Sequence, residues 1–222
     1  MKEKLVPPAV TAGFLTVEGT LYAAFLALDL MGRGRDTVLI KYAGILLCVL
    51  FALSAAVKGG DRLMPIALAL TAGADWFLLV RNDHYAVGIT LFLCVQTVYY
   101  LRLRRVKVDS AWSLRSGLAL AAGLVLYLLN MASPVNLLAG LYFSQLLSNT
   151  VLAWTQPGWR LFALGLTLFV GCDVCVGLFN ALPASSPPYP AAAMGMWLFY
   201  LPSQVLIALS ALPQKEVFHE NQ

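Results

Sequence analysis

Charge is scarce in this sequence. Only 12% of its 222 residues are charged, whereas soluble domains carry about 25%. Hydrophobic residues make up 60% of the chain, and the mean hydropathy is +0.77. A soluble fold of this size could not cover its surface with so few polar side chains. The composition therefore excludes a soluble domain and predicts an integral membrane protein.

Metal-binding side chains are scarce too. The chain has two histidines and four cysteines, and all four cysteines lie inside apolar segments. Cys172 and Cys175 form a Cys-x-x-Cys pair, which can be redox-active or bind a metal, but inside an apolar helix we interpret them as packing residues. We therefore predict no metal site. The basic residues lie at segment ends rather than in one patch, so nucleic acid is not a predicted partner.

Long apolar runs are abundant. A helix needs about 20 apolar residues to cross a bilayer, and breaks at charges, glycines and prolines leave eight such runs. The first run follows a basic start, but it is longer than a signal-peptide core and contains Glu18. The sequence predicts a single all-α membrane domain over residues 1–222, a polytopic protein with eight transmembrane helices at about 9–30, 38–57, 63–80, 85–101, 114–131, 134–153, 160–180 and 191–211.

The lysines and arginines predict the orientation of these helices. Eleven of the 15 lie on the side of the N-terminus, including those of the segment 102–107. Positively charged loops stay in the cytoplasm. Because the number of spans is even, both termini are predicted to be cytoplasmic.

The chain also carries signs of an internal repeat. The segment 67–79 resembles the segment 163–178, with Asp75 and Asp173 in matching positions 98 residues apart. Repeats of four spans each would be parallel rather than inverted. Apolar helices also resemble one another by chance, so a parallel 4+4 repeat and an unrepeated bundle both fit the sequence.

Asp75 and Asp173 are the residues that membrane packing explains least. Both lie in spans that run outwards from the cytoplasm, roughly 7–11 Å below the outer boundary at 1.5 Å per residue. Intramembrane acids are rare and usually face the protein interior. Two carboxyl groups that share a buried site do not readily ionise together. One can then act as general acid while the other acts as general base.

Other polar side chains lie within the remaining spans, and each has a structural alternative. Glutamines can join helices by hydrogen bonds, and tyrosines can anchor a helix at the interface. Asp29 can mark the outer boundary, Lys41 can reach outwards to the headgroups, and Glu18 fits either packing or function. The remaining candidates are Gln96, Gln145, Gln204, Tyr99, Tyr142 and Tyr200.

Several segments occur in a characteristic order: "KYAGILLCVLFALSA", "TAGADWFLLV", "AVGITLFLCVQTVYYL", "VGCDVCVGLF" and "LFYLPSQVLIALSA". In order and spacing they resemble the YhhN family of eight-span membrane proteins, whose animal relatives are lysoplasmalogenases. The matching motifs are a lysine-initiated span, a Gly-Asp-apolar-Leu-Leu motif, a span with histidine and tyrosine, a Ser-Asp span and a terminal Tyr-x3-Gln span. The chain departs from them at Ala74, where glycine is usual, at Cys172, where serine is common, and at Gln96, where histidine is general.

The resemblance implies a membrane-embedded hydrolase that cleaves the vinyl-ether bond of lysoplasmalogen-type lysophospholipids without a cofactor. Asp75 and Asp173 would share the acid and base roles. Lys41 would pair with the lipid phosphate. The implied location is the bacterial inner membrane, and the implied substrate-binding residues are Lys41, Gln96, Tyr99, Tyr200 and Gln204.

Two other function classes fit the same residues. Intramembrane acids and a parallel repeat also suit a transporter for a small solute or lipid, although Pro202 is the only proline well inside a predicted span. A non-catalytic lipid-binding protein is favoured by glutamine in place of histidine at position 96. Membrane lipids are predicted partners in every case.

Overall fold

The computed structural model describes residues 6–32, 37–106 and 111–213, and these segments contain eight α-helices and no strand. Helix α3 continues directly into a π-helical turn, Trp76–Arg81. The basic residues Lys2, Lys4, Arg33, Arg35, Lys107 and Lys215, which contribute to the predicted orientation, lie outside the described residues. The helices are α1 Pro8–Leu30, α2 Val38–Val57, α3 Leu63–Asp75, α4 Tyr85–Arg104, α5 Trp112–Leu128, α6 Pro134–Trp154, α7 Arg160–Ala181 and α8 Tyr189–Leu209.

The prediction of an all-helical chain is confirmed, and the helix ends lie within three residues of the ends of the predicted apolar runs when the π-helical turn Trp76–Arg81 is counted with α3. Within the described segments, six helices are long and apolar enough to cross a membrane. The two others are α5, which has 17 residues, and α6, which carries a buried polar face that includes Ser144, Ser148 and Asn149. The chain is an integral membrane protein.

Local signals explain several helix boundaries. Proline at the first or second position starts α1, α6 and α8, where its missing N–H would have no partner in any case. The Ser133 hydroxyl caps α6 by accepting a hydrogen bond from the Asn136 backbone N–H at 3.2 Å. The turn after α2 contains Gly59 at a φ of 94°, a conformation that glycine adopts without a steric penalty.

Six of the helices form a closed ring through pairwise contacts. In order around the ring, α2 packs against α3, α3 against α4, α4 against α6, α6 against α7, α7 against α8, and α8 against α2. Helix α1 packs outside the ring against α2, and α5 packs outside it against α6. The ring brings together the polar side chains that α3, α4, α6, α7 and α8 carry on their inner faces.

One end of the ring is fixed by a buried arginine. Arg102 of α4 donates to Asp61 Oδ2 at 2.6 Å and to Ser210 Oγ at 2.8 Å. Its guanidinium lies over the rings of Trp159 and Phe162 at 4.7 and 4.4 Å. Arg102 thus faces the protein interior and ties the α2–α3 connection, α4 and the end of α8 together.

Candidate functional site

Asp75 lies at a break in helical geometry. It is the last residue of α3, and the next six residues form the π-helical turn. Such π-helical segments occur frequently at functional sites. The Asp75 side chain is buried, with 5% of the residue exposed, and the Tyr200 hydroxyl donates to its Oδ2 at 2.6 Å. A donor–acceptor distance this short is typical of a hydrogen bond to a charged oxygen.

Asp173 of α7 faces the same interior region. Asp75 and Asp173 lie within electrostatic range of each other, and Cys172 lies within range of both. The Tyr142 hydroxyl lies beside Asp173. However, neither this hydroxyl nor Asp173 Oδ2 makes a hydrogen bond of good geometry to any described residue. The two carboxyl groups therefore share one region but have different environments.

Aromatic rings enclose this region. The Tyr200 ring lies 5.5 Å from the Phe169 ring and 5.7 Å from the Trp197 ring, and Phe169 lies 5.6 Å from Phe92. Among the described residues, the salt bridges of lysine, arginine and histidine are all with Asp29, Asp61 or Asp83. Asp75 and Asp173 thus form no salt bridge within the described segments, and electrostatic effects are strong in such a buried, largely aromatic region.

Lys41 lies in a neighbouring cluster rather than beside the two acids. Its Nζ donates to Asp29 Oδ2 at 2.7 Å, and Thr37 Oγ1 donates to Asp29 Oδ1 at the same distance. The ammonium also lies 4.5 Å from the centre of the Trp197 ring. Because Trp197 also packs against Tyr200, the Trp197 ring lies between the Lys41 ammonium and the tyrosine that donates to Asp75. Asp29 is therefore an ion-pair partner and not merely a boundary residue.

Gln96 lies in a hydrogen-bonded array between helices. The Asn149 Nδ2 donates to the Gln96 backbone oxygen at 2.9 Å and to Gln96 Oε1 at 3.0 Å. Arg115 donates to Asn149 Oδ1 and to Gln145 Oε1, both at 2.7 Å. Gln145 thus joins α5 to α6, as the alternative of an interhelical hydrogen bond predicts. Gln96 Nε2 is buried and has no hydrogen-bond partner within the described chain.

The other candidate residues are not hydrogen-bonded to either acid. Gln204, one turn beyond Tyr200, donates to Ser203 Oγ at 3.2 Å, and its Oε1 is buried without a partner in the described segments. The Tyr99 ring packs against Phe162, with ring centres 5.3 Å apart. Glu18 accepts a weak hydrogen bond from Cys48 Sγ at 3.4 Å, away from Asp75.

Some of the residues that complete this region are not identified from sequence patterns alone. Tyr42 of α2 lies within electrostatic range of Asp75 and packs against Trp76, with ring centres 5.8 Å apart. Arg115 and Asn149 are both buried. Asn149 carried an available signal, because an amide inside an apolar run must find a partner. Tyr42 carries no such signal, because a tyrosine near the end of a span is usually an interfacial anchor.

The arrangement suits proton transfer between two carboxyl groups. Asp75 receives a short hydrogen bond from Tyr200 that stabilises a charge on its carboxylate, whereas the Tyr142 hydroxyl beside Asp173 makes no hydrogen bond of good geometry to Asp173 Oδ2. The described residues include no group of three metal-ligating side chains. All four cysteines are free thiols.

Comparison with known proteins agrees with this description. The model of the YhhN family matches residues 37–211, which covers α2 to α8 and leaves α1, with Glu18, outside the match. Neither the curated proteins nor the solved structures give a match to the chain. The matched region spans well over half of the sequence, and it contains both acids, their tyrosines and the whole six-helix ring: the chain belongs to the YhhN family.

Proposed function

We propose that this protein is a membrane-embedded hydrolase that cleaves the vinyl-ether bond of lysoplasmalogen-type lysophospholipids. The observation that carries the proposal is the proximity of Asp75 and Asp173 in an aromatic-lined region, with one of them hydrogen-bonded to Tyr200. Hydrolysis of an enol ether needs one group that donates a proton and one that accepts a proton. A pair of carboxyl groups with different environments supplies both.

We assign the acid role to Asp173 and the base role to Asp75. The hydrogen bond from Tyr200 stabilises negative charge on Asp75. The Tyr142 hydroxyl lies beside Asp173 but makes no hydrogen bond of good geometry to its Oδ2, so a charge on Asp173 is less well stabilised, and such a charge is costly in a buried region. Asp173 is therefore the better proton donor, and Asp75 is the better acceptor.

The reaction then proceeds in balanced steps. Asp173 gives its proton to the carbon of the vinyl ether remote from oxygen, which leaves an oxocarbenium ion that the Asp75 carboxylate stabilises. Water attacks this cation while Asp75 takes one of its protons, which yields a hemiacetal. The hemiacetal collapses to a fatty aldehyde and the glycerol hydroxyl of the phospholipid backbone. Transfer of the proton from Asp75 to Asp173 restores the starting state.

The substrate would enter sideways from the bilayer. Asp173 is partly exposed, and the next turns of α7 present Val174 and Leu178 to the outside. The hydrocarbon chain can then lie among apolar side chains while the headgroup stays at the boundary. The Lys41 ammonium would bind the phosphate while it stays paired with Asp29. The polar part of the substrate would contact Tyr99, Gln96, Tyr200 and Gln204.

We propose an eight-span topology with both termini in the cytoplasm of a bacterial inner membrane. Helix α6 keeps its polar residues on a buried face, so its lower hydropathy is compatible with a span. The neighbour relations support a parallel 4+4 repeat. Each contact in the first half has a counterpart in the second: α1–α2 with α5–α6, α2–α3 with α6–α7, and α3–α4 with α7–α8.

The test is aldehyde release from purified protein in detergent with 1-alkenyl-lysophosphoethanolamine. We expect aldehyde from the wild type, and a loss of at least a hundredfold in Asp75→Asn and in Asp173→Asn. Asp83→Asn is the matched control, because Asp83 is an exposed carboxylate paired with Arg81 in the turn after α3. A correctly folded wild type that releases no aldehyde contradicts the proposal. Proton-driven solute uptake by the same protein in sealed vesicles would favour a transporter instead.

A further inference from the structure

A buried chain of hydrogen bonds leads from α5 to the inner face of α4. It begins at Arg115, which is 4% exposed, passes through Asn149 of α6, and ends at Gln96. The distance is 2.7 Å from Arg115 to Asn149, which is short, and 3.0 Å from Asn149 to Gln96, which is ordinary for an amide hydrogen bond. Three helices therefore contribute one residue each to a single array.

The chemistry of arginine sets the direction of every bond in this chain. A guanidinium carries donors and no acceptor, so the Asn149 atom facing Arg115 must be its oxygen. The Asn149 amide nitrogen must then face Gln96, where it donates to the backbone oxygen and to Oε1. The Gln96 side chain is thus held with its oxygen towards Asn149 and its NH2 group on the opposite side.

The end of the chain is a donor without an acceptor. Gln96 is 1% exposed, and its Nε2 has no hydrogen-bond partner in the described part of the chain. Its flanking turns carry Phe92, which packs on Tyr142, and Tyr99. An unsatisfied buried donor costs about 1–3 kcal/mol. The hydrogen bonds from Arg115 through Asn149 hold the Gln96 amide with this donor pointing away from them. A bound molecule that offers an acceptor oxygen best explains this arrangement.

We propose that Arg115 and Asn149 are positioning residues that fix Gln96 as a hydrogen-bond donor to an acceptor oxygen of the bound ligand. The inference rests on the proposed function, in which that oxygen belongs to the lysolipid's glycerophosphate part or to the water that attacks. The same arrangement explains how glutamine can replace the histidine that is general in the family at position 96. Only a side chain that accepts from Asn149 and donates to the interior fits, and a neutral imidazole meets both conditions as well.

The test reverses the polarity of the chain without changing its size. In Asn149→Asp the introduced carboxylate still pairs with Arg115 but has no donor for Gln96. The Gln96 amide must then turn, so that its NH2 faces the carboxylate and its oxygen faces the ligand. Adding Gln96→His restores a donor on the ligand side, because a doubly protonated imidazole donates to both neighbours. Gln96→Met removes the donor directly, and Gln96→His alone keeps it.

The matched control is Gln145→Met. Gln145 also accepts from Arg115 at 2.7 Å, but it does not lie on the path to Gln96. All variants are purified in detergent and compared by thermal unfolding. Two quantities are then measured: the affinity for a saturated 1-alkyl-lysophosphoethanolamine, which has no vinyl double bond to cleave, and the rate of aldehyde release from the 1-alkenyl substrate.

We expect Gln96→Met and Asn149→Asp to lose about tenfold in analogue affinity or in the rate of aldehyde release. Both quantities should stay within threefold of wild type in three variants: Gln96→His, Asn149→Asp/Gln96→His and Gln145→Met. A loss of analogue affinity assigns the oxygen to the lysolipid, whereas a loss of turnover at unchanged affinity assigns it to water. If Asn149→Asp does not fold, the contrast between Gln96→Met and Gln96→His decides the question alone.

Two results overturn the inference. One is that folded Gln96→Met and Asn149→Asp both bind and react within twofold of wild type. The other is that Gln145→Met loses as much affinity or activity as Asn149→Asp. The loss would then come from weaker packing between α5 and α6 and not from the direction of the hydrogen bonds. A wild type that binds the analogue with the expected pattern but releases no aldehyde refutes the proposed function and not this inference. A wild type that neither binds nor reacts refutes both.

Discussion

Removal of one hydroxyl group, in Tyr200→Phe, probes the charge on Asp75. The Tyr200 hydroxyl donates to Asp75 Oδ2 at 2.6 Å inside the protein. The aromatic ring itself packs against Phe169 and Trp197, and phenylalanine keeps both of those contacts. The substitution therefore deletes a hydrogen bond and leaves the packing largely intact.

The expected size of the effect follows from that bond. Hydrogen bonds to charged groups contribute about 1.5–3 kcal/mol, and each 1.4 kcal/mol corresponds to about a tenfold change. If the Asp75 carboxylate stabilises the cation and takes the proton of water, Tyr200→Phe should slow aldehyde release by about 10- to 150-fold. Because the lost bond goes to a buried carboxylate, the free energy of unfolding should also fall, by up to about 3 kcal/mol, and the rates are therefore compared at a temperature at which thermal unfolding shows both proteins to be folded.

The assay couples aldehyde release to an aldehyde dehydrogenase and follows NADH. Tyr22→Phe is the control, since it makes the same change in a tyrosine that donates only a long bond, 3.3 Å, to the Leu198 backbone oxygen. We expect Tyr22→Phe to react within twofold of wild type. Equal rates for folded Tyr200→Phe and wild type would refute the assignment of Asp75 as the charged partner.

Three further predictions concern stability and substrate binding. Arg102→Met should lower the free energy of unfolding by about 1.5–3 kcal/mol, because it removes the hydrogen bonds to Asp61 and Ser210 and leaves Asp61 with the Leu63 backbone N–H and the longer contact to Arg105; the shift is read from thermal unfolding in detergent. Gly165→Ala should cost about 1–3 kcal/mol, since a Cβ there would lie 2.9 Å from a side-chain carbon of α8, whereas Gly177→Ala, with nothing within 4 Å, should be neutral or slightly stabilising in the same measurement. Lys41→Met should raise KM about tenfold for the lysophospholipid but leave KM for an alkenylglycerol without phosphate unchanged, and an equal rise for both would contradict phosphate binding.

The helices could be predicted because hydrophobic length is a local property. Apolar runs, prolines and glycines mark the ends of α1 to α8 to within three residues when the π-helical turn is counted with α3. The family could also be predicted, since its motifs are short and ordered along the chain. The depth of Asp75 and Asp173 below the membrane boundary, which comes from counting residues along two spans, stays a prediction.

The partners of those acids could not be predicted, because they depend on how each helix is rotated about its axis. Tyr200 lies 125 residues from Asp75 in the chain, and no local pattern selects it over Tyr99 or Tyr142. The pairing of Lys41 with Asp29 was missed for a related reason. The two residues belong to different spans, and the sequence analysis treated each as a separate boundary residue. The π-helical turn after Asp75 likewise has no signal in hydrophobicity alone.

The central claim is that Asp75 and Asp173 act as one catalytic unit, and a double-mutant cycle measures this directly. Aldehyde release is compared in wild type, Asp75→Asn, Asp173→Asn and the double variant under the same conditions. Groups that act together in one step are strongly non-additive, so the double variant should be no more than about threefold slower than the slower single variant. If the two losses instead multiply, the acids work independently and the account of a shared site is wrong.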